Sequence, residues 1–199
     1  LSVKKPQTQV LTEKELQRII MHGFENRVLN KVRDMFLFCS FTGPSYVDFK
    51  RLKYSDITDG IIITDRTKTK NPCFIPLLPI PLAQIEKYRN KTEYIFPVPT
   101  NKQLNDRLKP IGKACGIRKT LTMHVARRTF ATLMITKSMP IESIAKMLGH
   151  SDLKTTQIYA RILDLKILDE IDQVKDKLKD LNEDFMKFNA TSKDKPNKE

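Results

Sequence analysis

Cysteine and histidine are scarce in this chain of 199 residues, and their scarcity removes several classes of protein at once. The cysteines are Cys39, Cys73 and Cys115. Odd in number, far apart and without metal-like spacing, they suit free thiols in a reducing cytoplasm better than a disulfide framework. The three histidines are scattered, which argues against a zinc cluster, and no metal is expected. A Gly-rich phosphate loop is missing, so no nucleotide and no other cofactor is expected. No apolar run approaches the length that spans a bilayer, and there is no signal-peptide pattern. Contact with a membrane is therefore not expected. The chain opens on Leu1 instead of methionine, as a fragment would.

Positive charge, by contrast, is plentiful. The formal net charge is +13, which points to a polyanionic partner. Residues 164–199 hold eight lysines against ten carboxylates, so the basic excess lies in the body before them. A basic body with a near-neutral tail suits a DNA-binding domain followed by a protein-contacting tail. The length suits one domain of ordinary size with extensions, and 40% hydrophobic residues suffice for its core.

Residues 1–10 read as a linker. Thr12 is placed as an N-cap, with Glu15 completing a capping box, and Leu16, Ile19 and Ile20 form the apolar stripe of the helix that follows. A second helix is expected over Arg27 to Phe41, with Val28, Val32, Met35, Phe36 and Cys39 at helical spacing. Gly43 ends it, and Pro44 opens a short helix through Leu52. Then the period changes. Ile61-Ile62-Ile63, after the Asp59-Gly60 turn, and Cys73 to Leu77 read as two short strands joined by the basic turn DRTKTKNP. Helical patterns resume over Pro81–Asn90 and Asn101–Cys115, the second with a kink or break expected at Pro110. Thr122 caps a further helix, Pro140 opens the next, and another starts around Asp152. From Asp164 the apolar residues Ile167, Ile171, Val174, Leu178, Leu181, Phe185 and Phe188 alternate spacings of four and three, an a/d heptad stripe. Residues 190–199 are polar and expected to be disordered.

Within these helical patterns lie His124-x-x-Arg127, then Leu148-Gly149-His150, then Tyr159 nine residues on. Singly, each has a bland reading: a helical histidine in the core or on the surface, a core tyrosine with its hydroxyl satisfied. Together they suit phosphodiester chemistry. Cleavage places extra negative charge on non-bridging oxygens, and preorganised cationic donors stabilise that charge more than the ground state. A guanidinium offers a planar fork that fits two phosphate oxygens, which suits Arg127. His124 and His150 can donate to the same oxygens or move protons near neutral pH. A tyrosine hydroxyl, once positioned and relieved of its proton, is a nucleophile. His124 and Arg127, three apart, share a helix face.

This set of three motifs, in order and at these distances, resembles the C-terminal signature of the tyrosine recombinase family, which includes phage and transposon integrases. The closest flavour is that of integrases of conjugative transposons and related mobile elements. The resemblance covers about Leu11 to Leu163 and implies a fold that is mainly α with a small antiparallel β-sheet. It implies a site-specific recombinase in which Tyr159 attacks DNA and forms a 3′-phosphotyrosine, so that rejoining needs no ATP. The implied partners are double-stranded DNA, a homo-tetramer on paired sites and accessory DNA-bending proteins, in the cytoplasm of a bacterium, at the nucleoid. Family members carry arm-type and core-binding domains for which this chain has no room, so residues 1–10 would be the linker from them. The C-terminal segment, here 164–189, would pack on a neighbouring protomer.

The family's β-hairpin carries a catalytic lysine, and aligning Phe74 to Leu77 with the strand end puts it at Lys68. Its work would be to protonate the leaving 5′ oxygen. Lys70 is its rival, and either lysine could instead be an ordinary phosphate contact. Arg128 sits where many members have a further histidine, as a phosphate contact or a surface charge. One departure stands out. The family's first arginine lies in a T-G-L-R-x-x-E-L pattern, where this chain has Thr42-Gly43-Pro44-Ser45-Tyr46-Val47-Asp48-Phe49. Ser45 offers one neutral hydrogen bond in place of a charged fork and would contact DNA only through that. Some conjugative-transposon integrases similarly lack this arginine. Arg66 is expected to take its place, because residues two apart on an extended strand project to one side and Arg66 would then point with Lys68. Two other readings remain open. A type IB topoisomerase-like relaxation of DNA would use the same chemistry. A non-catalytic helix-turn-helix regulator would use the segment from Lys137 to Ala160, with a turn at Gly149-His150.

Overall fold

The computed structural model describes residues 9–89 and 92–159, with a few further positions between 178 and 186. The chain divides into two compact units, Leu1–Ala160 and Arg161–Glu199. The first unit is built around one buried helix. Helix α1 (Glu13–Met21) starts at Thr12, whose capping box with Glu15 satisfies the first free amides from both sides. Leu16 and Ile19 are buried as the stripe requires, while Ile20 is partly exposed. Helix α2 (Arg27–Thr42) is capped by Asn26 and packs against α1 and the later α4, α5 and α6. Its last turns are buried on every side, from Met35 to Ser40, which is how a central helix differs from an amphipathic one. Val28, in its exposed first turn, lies outside that core.

Gly43 ends α2 in the left-handed conformation, at φ 75°. A β-carbon there would come within 2.3 Å of the Phe130 ring and 2.8 Å of Leu148, so only glycine permits this crossing. Helix α3 is shorter than expected, Tyr46–Phe49, and its N-cap is Ser45, not a proline-led start at Pro44. The reason is local: the Ser45 hydroxyl reaches back to the amide of Asp48, a better terminus than Pro44 can offer.

Strands β1 (Ile57–Thr58), β2 (Ile61–Asp65) and β3 (Pro72–Pro76) form one antiparallel sheet in that order. Ile62 pairs with Ile75, both facing the core, while the adjacent pair Ile63 and Phe74 faces solvent. Helix α4 (Pro79–Tyr88) follows. Helix α5 (Asn101–Ala114) runs continuously through Pro110, so the expected break does not occur. A proline removes one amide donor, and the burial of Leu104, Leu108 and Ile111 on either side outweighs that loss. Helix α6 (Met123–Thr136) is capped by Thr122, and α7 (Ile141–Leu148) follows Pro140 and packs on β3. Residues 153–159 are again helical.

A buried carboxylate ties α2 to α4. Asp34 accepts from Arg33, from Lys87 Nζ at 2.6 Å and from the Tyr88 hydroxyl at 2.7 Å. Burial would raise its pKa, but those three partners together hold it below the usual carboxylate value.

In the second unit, Leu178, Leu181 and Met186 are exposed. Most of the heptad stripe from Ile167 to Phe188, and the polar end 190–199, lie outside the described residues. Among the described residues no helix is long and apolar enough to cross a membrane.

Candidate active site

Arg127 is the hub. It projects from α6 into the seam between the ends of α2 and α7 and is 6% exposed. Its Nη1 donates to the carbonyl of Gly43 at 2.7 Å, and Nη2 donates to that of Leu148 at 2.9 Å. Both carbonyls are at helix C-termini, where orphan acceptors carry partial negative charge. A buried cation is thus held largely by backbone, in place of a paired carboxylate. Burial first, and then the neighbouring charge of Arg66, bring its pKa down to about 10, so it stays charged at neutral pH.

His150 completes the hub. Its Nε2 lies 2.9 Å from Arg127 Nη2, and its Nδ1 lies 2.8 Å from the hydroxyl of Thr156. Burial, then Arg127 and Arg66, push its pKa down to about 4, which makes it neutral at pH 7. Tyr159 is buried on the helical segment 153–159, close enough that its phenolate would act on the Arg127 guanidinium. His124 is exposed at the start of α6. Burial, then Arg128 and Arg127, lower its pKa. With Arg127, Ser45, Asn101 and Asn105 it lines a hollow of about 220 Å³. Arg128 itself is half-buried.

The hairpin reaches this hub through Gly149. The chain takes φ 62° there, and a β-carbon would lie 2.5 Å from Cys73 Sγ and 3.0 Å from Arg66 Cβ. The glycine of the Leu-Gly-His motif is therefore what lets β3 and the turn after β2 dock against α7. Its carbonyl accepts from Arg66 Nη1 at 3.2 Å and from Thr69 Oγ1 at 3.0 Å. The Nε of Arg66 is buried without a partner.

The premise that Arg66 and Lys68 share one strand face needs correction. Strand β2 ends at Asp65, and residues 66–70 form a turn closed by the amide of Lys70 on the carbonyl of Arg66 at 2.8 Å. Alternation does not apply inside a turn. Arg66 is half-buried because it packs on Gly149, while Lys68 and Lys70 are exposed at the tip.

Two residues at the site escaped the sequence reading. Asp48 accepts from the Ser45 hydroxyl at 2.6 Å and from the Thr67 amide at 2.8 Å, so it joins α3 to the hairpin turn. Burial raises its pKa, but Ser45, Thr67 and then Arg127 outweigh that and keep it ionised. The single hydroxyl proton of Ser45 is engaged by this carboxylate. Thr156 is the other; a threonine one helical turn before a tyrosine was the only available signal. Among the described residues no cluster of His, Cys, Asp and Glu is gathered as for a metal.

A mostly helical domain with a small three-stranded antiparallel sheet, its site built around one buried guanidinium, has the fold of tyrosine recombinase catalytic domains. The chain belongs to the phage integrase family, which it matches over residues 9–165. It is 30% identical over 177 residues to the tyrosine recombinase XerA of Pyrococcus furiosus, covering 80% of this chain and 59% of that one. Over a shorter stretch of 62 residues, 31% of this chain and 21% of the relative, it is 40% identical to the tyrosine recombinase XerD of Listeria monocytogenes. The chain spans less than two thirds of the length of these curated relatives. Among solved structures, XerH recombinase bound to palindromic difH substrate superposes with a TM-score of 0.65 at 22% identity, over 82% of this chain and 52% of that one. The integrase of transposon Tn1549, in complex with circular-intermediate DNA, superposes with a TM-score of 0.64 at 19% identity, over 80% of this chain and 63% of that one.

Proposed function

We propose that this chain is the catalytic part of a site-specific DNA recombinase that integrates or excises a mobile element. Its substrate is double-stranded DNA, which its basic body attracts. The observation that carries this reading is the meeting of His124, Arg127, His150 and Tyr159, from three separate segments, around one buried guanidinium.

Tyr159 attacks the scissile phosphorus, the 5′ oxygen leaves, and a 3′-phosphotyrosine keeps the bond for rejoining. Arg127 turns donors toward the non-bridging oxygens, with His124 at the edge of the same hollow. In this reading Lys68, exposed on a turn, swings over bound DNA and protonates the leaving oxygen, with Lys70 beside it as a phosphate contact. Arg128 is a further backbone contact, and Ser45 meets DNA by turning its hydroxyl proton from Asp48 to a phosphate oxygen. Arg66 supplies the positive charge missing at Ser45. Its unpartnered Nε and its effect on both Arg127 and His150 support that role. The work is done by a homo-tetramer on paired sites, with accessory DNA-bending proteins, and the apolar stripe of residues 164–189 reaches a neighbouring protomer. A helix-turn-helix regulator would use the basic charge but has no need of His150 and Tyr159 gathered at Arg127, so that meeting favours the recombinase reading.

The test is a nicked suicide duplex built from the DNA that flanks the gene, which lets the cleaved end diffuse away. Wild type should form a covalent protein–DNA adduct and Tyr159→Phe should form none. An adduct that persists in Tyr159→Phe overturns the assignment.

A further inference from the structure

Both ring nitrogens of His150 are engaged inside the protein, one by Arg127 and the other by Thr156. A guanidinium can only donate, so Nε2 accepts from Arg127. The ring of a neutral imidazole then carries its proton on Nδ1, which donates to the Thr156 hydroxyl at 2.8 Å. Thr156 is fully buried and lies one helical turn before Tyr159, on the same face. One hydroxyl therefore links the nucleophile's helical segment to the histidine that touches the central arginine.

We propose that Thr156 is a positioning residue: its hydroxyl partners Nδ1 of His150 in whichever tautomer the group at Nε2 imposes, and holds the ring to the segment that presents Tyr159. A hydroxyl can serve both neutral tautomers, accepting from Nδ1–H or donating to a bare Nδ1. That matters when a phosphate draws the Nη2 donor of Arg127 onto itself. His150 can then help only as a donor from Nε2. An imidazolium is costly in this buried, doubly cationic setting. The neutral route takes one proton from Nδ1 to solvent and one from solvent onto Nε2. The ring's charge is unchanged, and the Thr156 hydroxyl rotates to donate to Nδ1. Valine, of the same shape, would leave Nδ1 unpartnered in either state, whereas serine keeps the hydroxyl.

The rate arm of the test rests on the recombinase reading above, and the spectroscopic arm does not. The full chain is labelled with 15N-histidine, and the ring-nitrogen shifts of His150 are assigned with His150→Gln. Free wild type should carry the proton on Nδ1, and wild type bound to the nicked duplex should carry it on Nε2, neutral in both. Thr156→Val should leave the free ring's proton on Nδ1, where Arg127 keeps it, but move the Nδ1 resonance because that proton loses its acceptor, and should slow single-turnover cleavage on saturating duplex by about tenfold or more, the scale of losing an orienting partner. Thr156→Ser should keep the wild-type tautomer and a rate within about twofold. A proton on Nε2 in the free wild type, or a valine variant with the wild-type Nδ1 shift and rate, overturns the proposal. Should the valine variant unfold, the free wild-type spectrum and the serine variant decide it. Absence of any adduct in wild type counts against the recombinase reading alone, since the free-protein spectra still judge Thr156.

Discussion

Arg66 donates to the carbonyl of Gly149 across 3.2 Å, and the same glycine leaves no room for a β-carbon beside the arginine's own. The hairpin and the Leu-Gly-His turn are thus fitted to each other at one residue. Gly149→Ala should strain the left-handed backbone and push apart Cys73 and Arg66. The expected loss is about 1–3 kcal/mol from the conformation, with overpacking added to it. Urea unfolding of the variant measures it, and an unchanged midpoint would show that the hairpin is not docked there.

Arg66→Ala should slow the chemical step. If its charge acts on the transition state as a lost oxyanion donor does, single-turnover cleavage on saturating DNA falls by about 2.7–4 kcal/mol in activation terms. A plain backbone contact would weaken binding and leave the cleavage rate of bound DNA intact. Wild-type cleavage by the bound variant sinks the substitution idea.

Acid should unfold the domain in two separable windows. The folded pKa of His150 is down at about 4 from 6.5, so the unfolded chain takes up that proton first as pH falls. Stability is therefore lost between pH 6.5 and about 4, with His124 contributing in the same direction. Asp34 is held below its ordinary 3.8, so its contribution is intact above that value and disappears as pH falls beneath it. Urea midpoints from pH 7 to 3 should show the upper slope flattened by His150→Gln and the lower slope by Asp34→Asn. At pH 7, Asp34→Asn should also cost about 1–3 kcal/mol, because Arg33, Lys87 and Tyr88 lose the charged acceptor they share.

Removing residues 164–199 should reduce assembly on paired sites while leaving single-site DNA binding in place. Gel-shift of paired-site complexes by the truncated chain reads this directly. Undiminished assembly refutes a tail that reaches across protomers.

Local features were legible without coordinates. Thr12 with Glu15, Thr122 and Gly43 mark helix ends because capping is satisfied within four residues. His124, Arg127, His150 and Tyr159 were picked out together, by the resemblance of their order and spacing to a family signature. Pro110 does not break α5, since propensity is a weak prior once both flanks of a helix are buried. The strand alternation assumed for Arg66 and Lys68 misled because the strand ends at Asp65, before either residue.

What the sequence determined by itself was therefore the inventory: the caps, the periods, the basic body and the residue types able to handle a phosphate. What only the tertiary structure decided was their pairing. Arg127 meets Gly43 across 84 positions of sequence, Asp48 meets the Thr67 amide across 19, and Arg127 meets His150 across 23. Caps and periods follow from the few neighbours a residue has along the chain. A buried charge must instead find its acceptors wherever packing brings them, and in this domain those are the ends of helices distant in sequence.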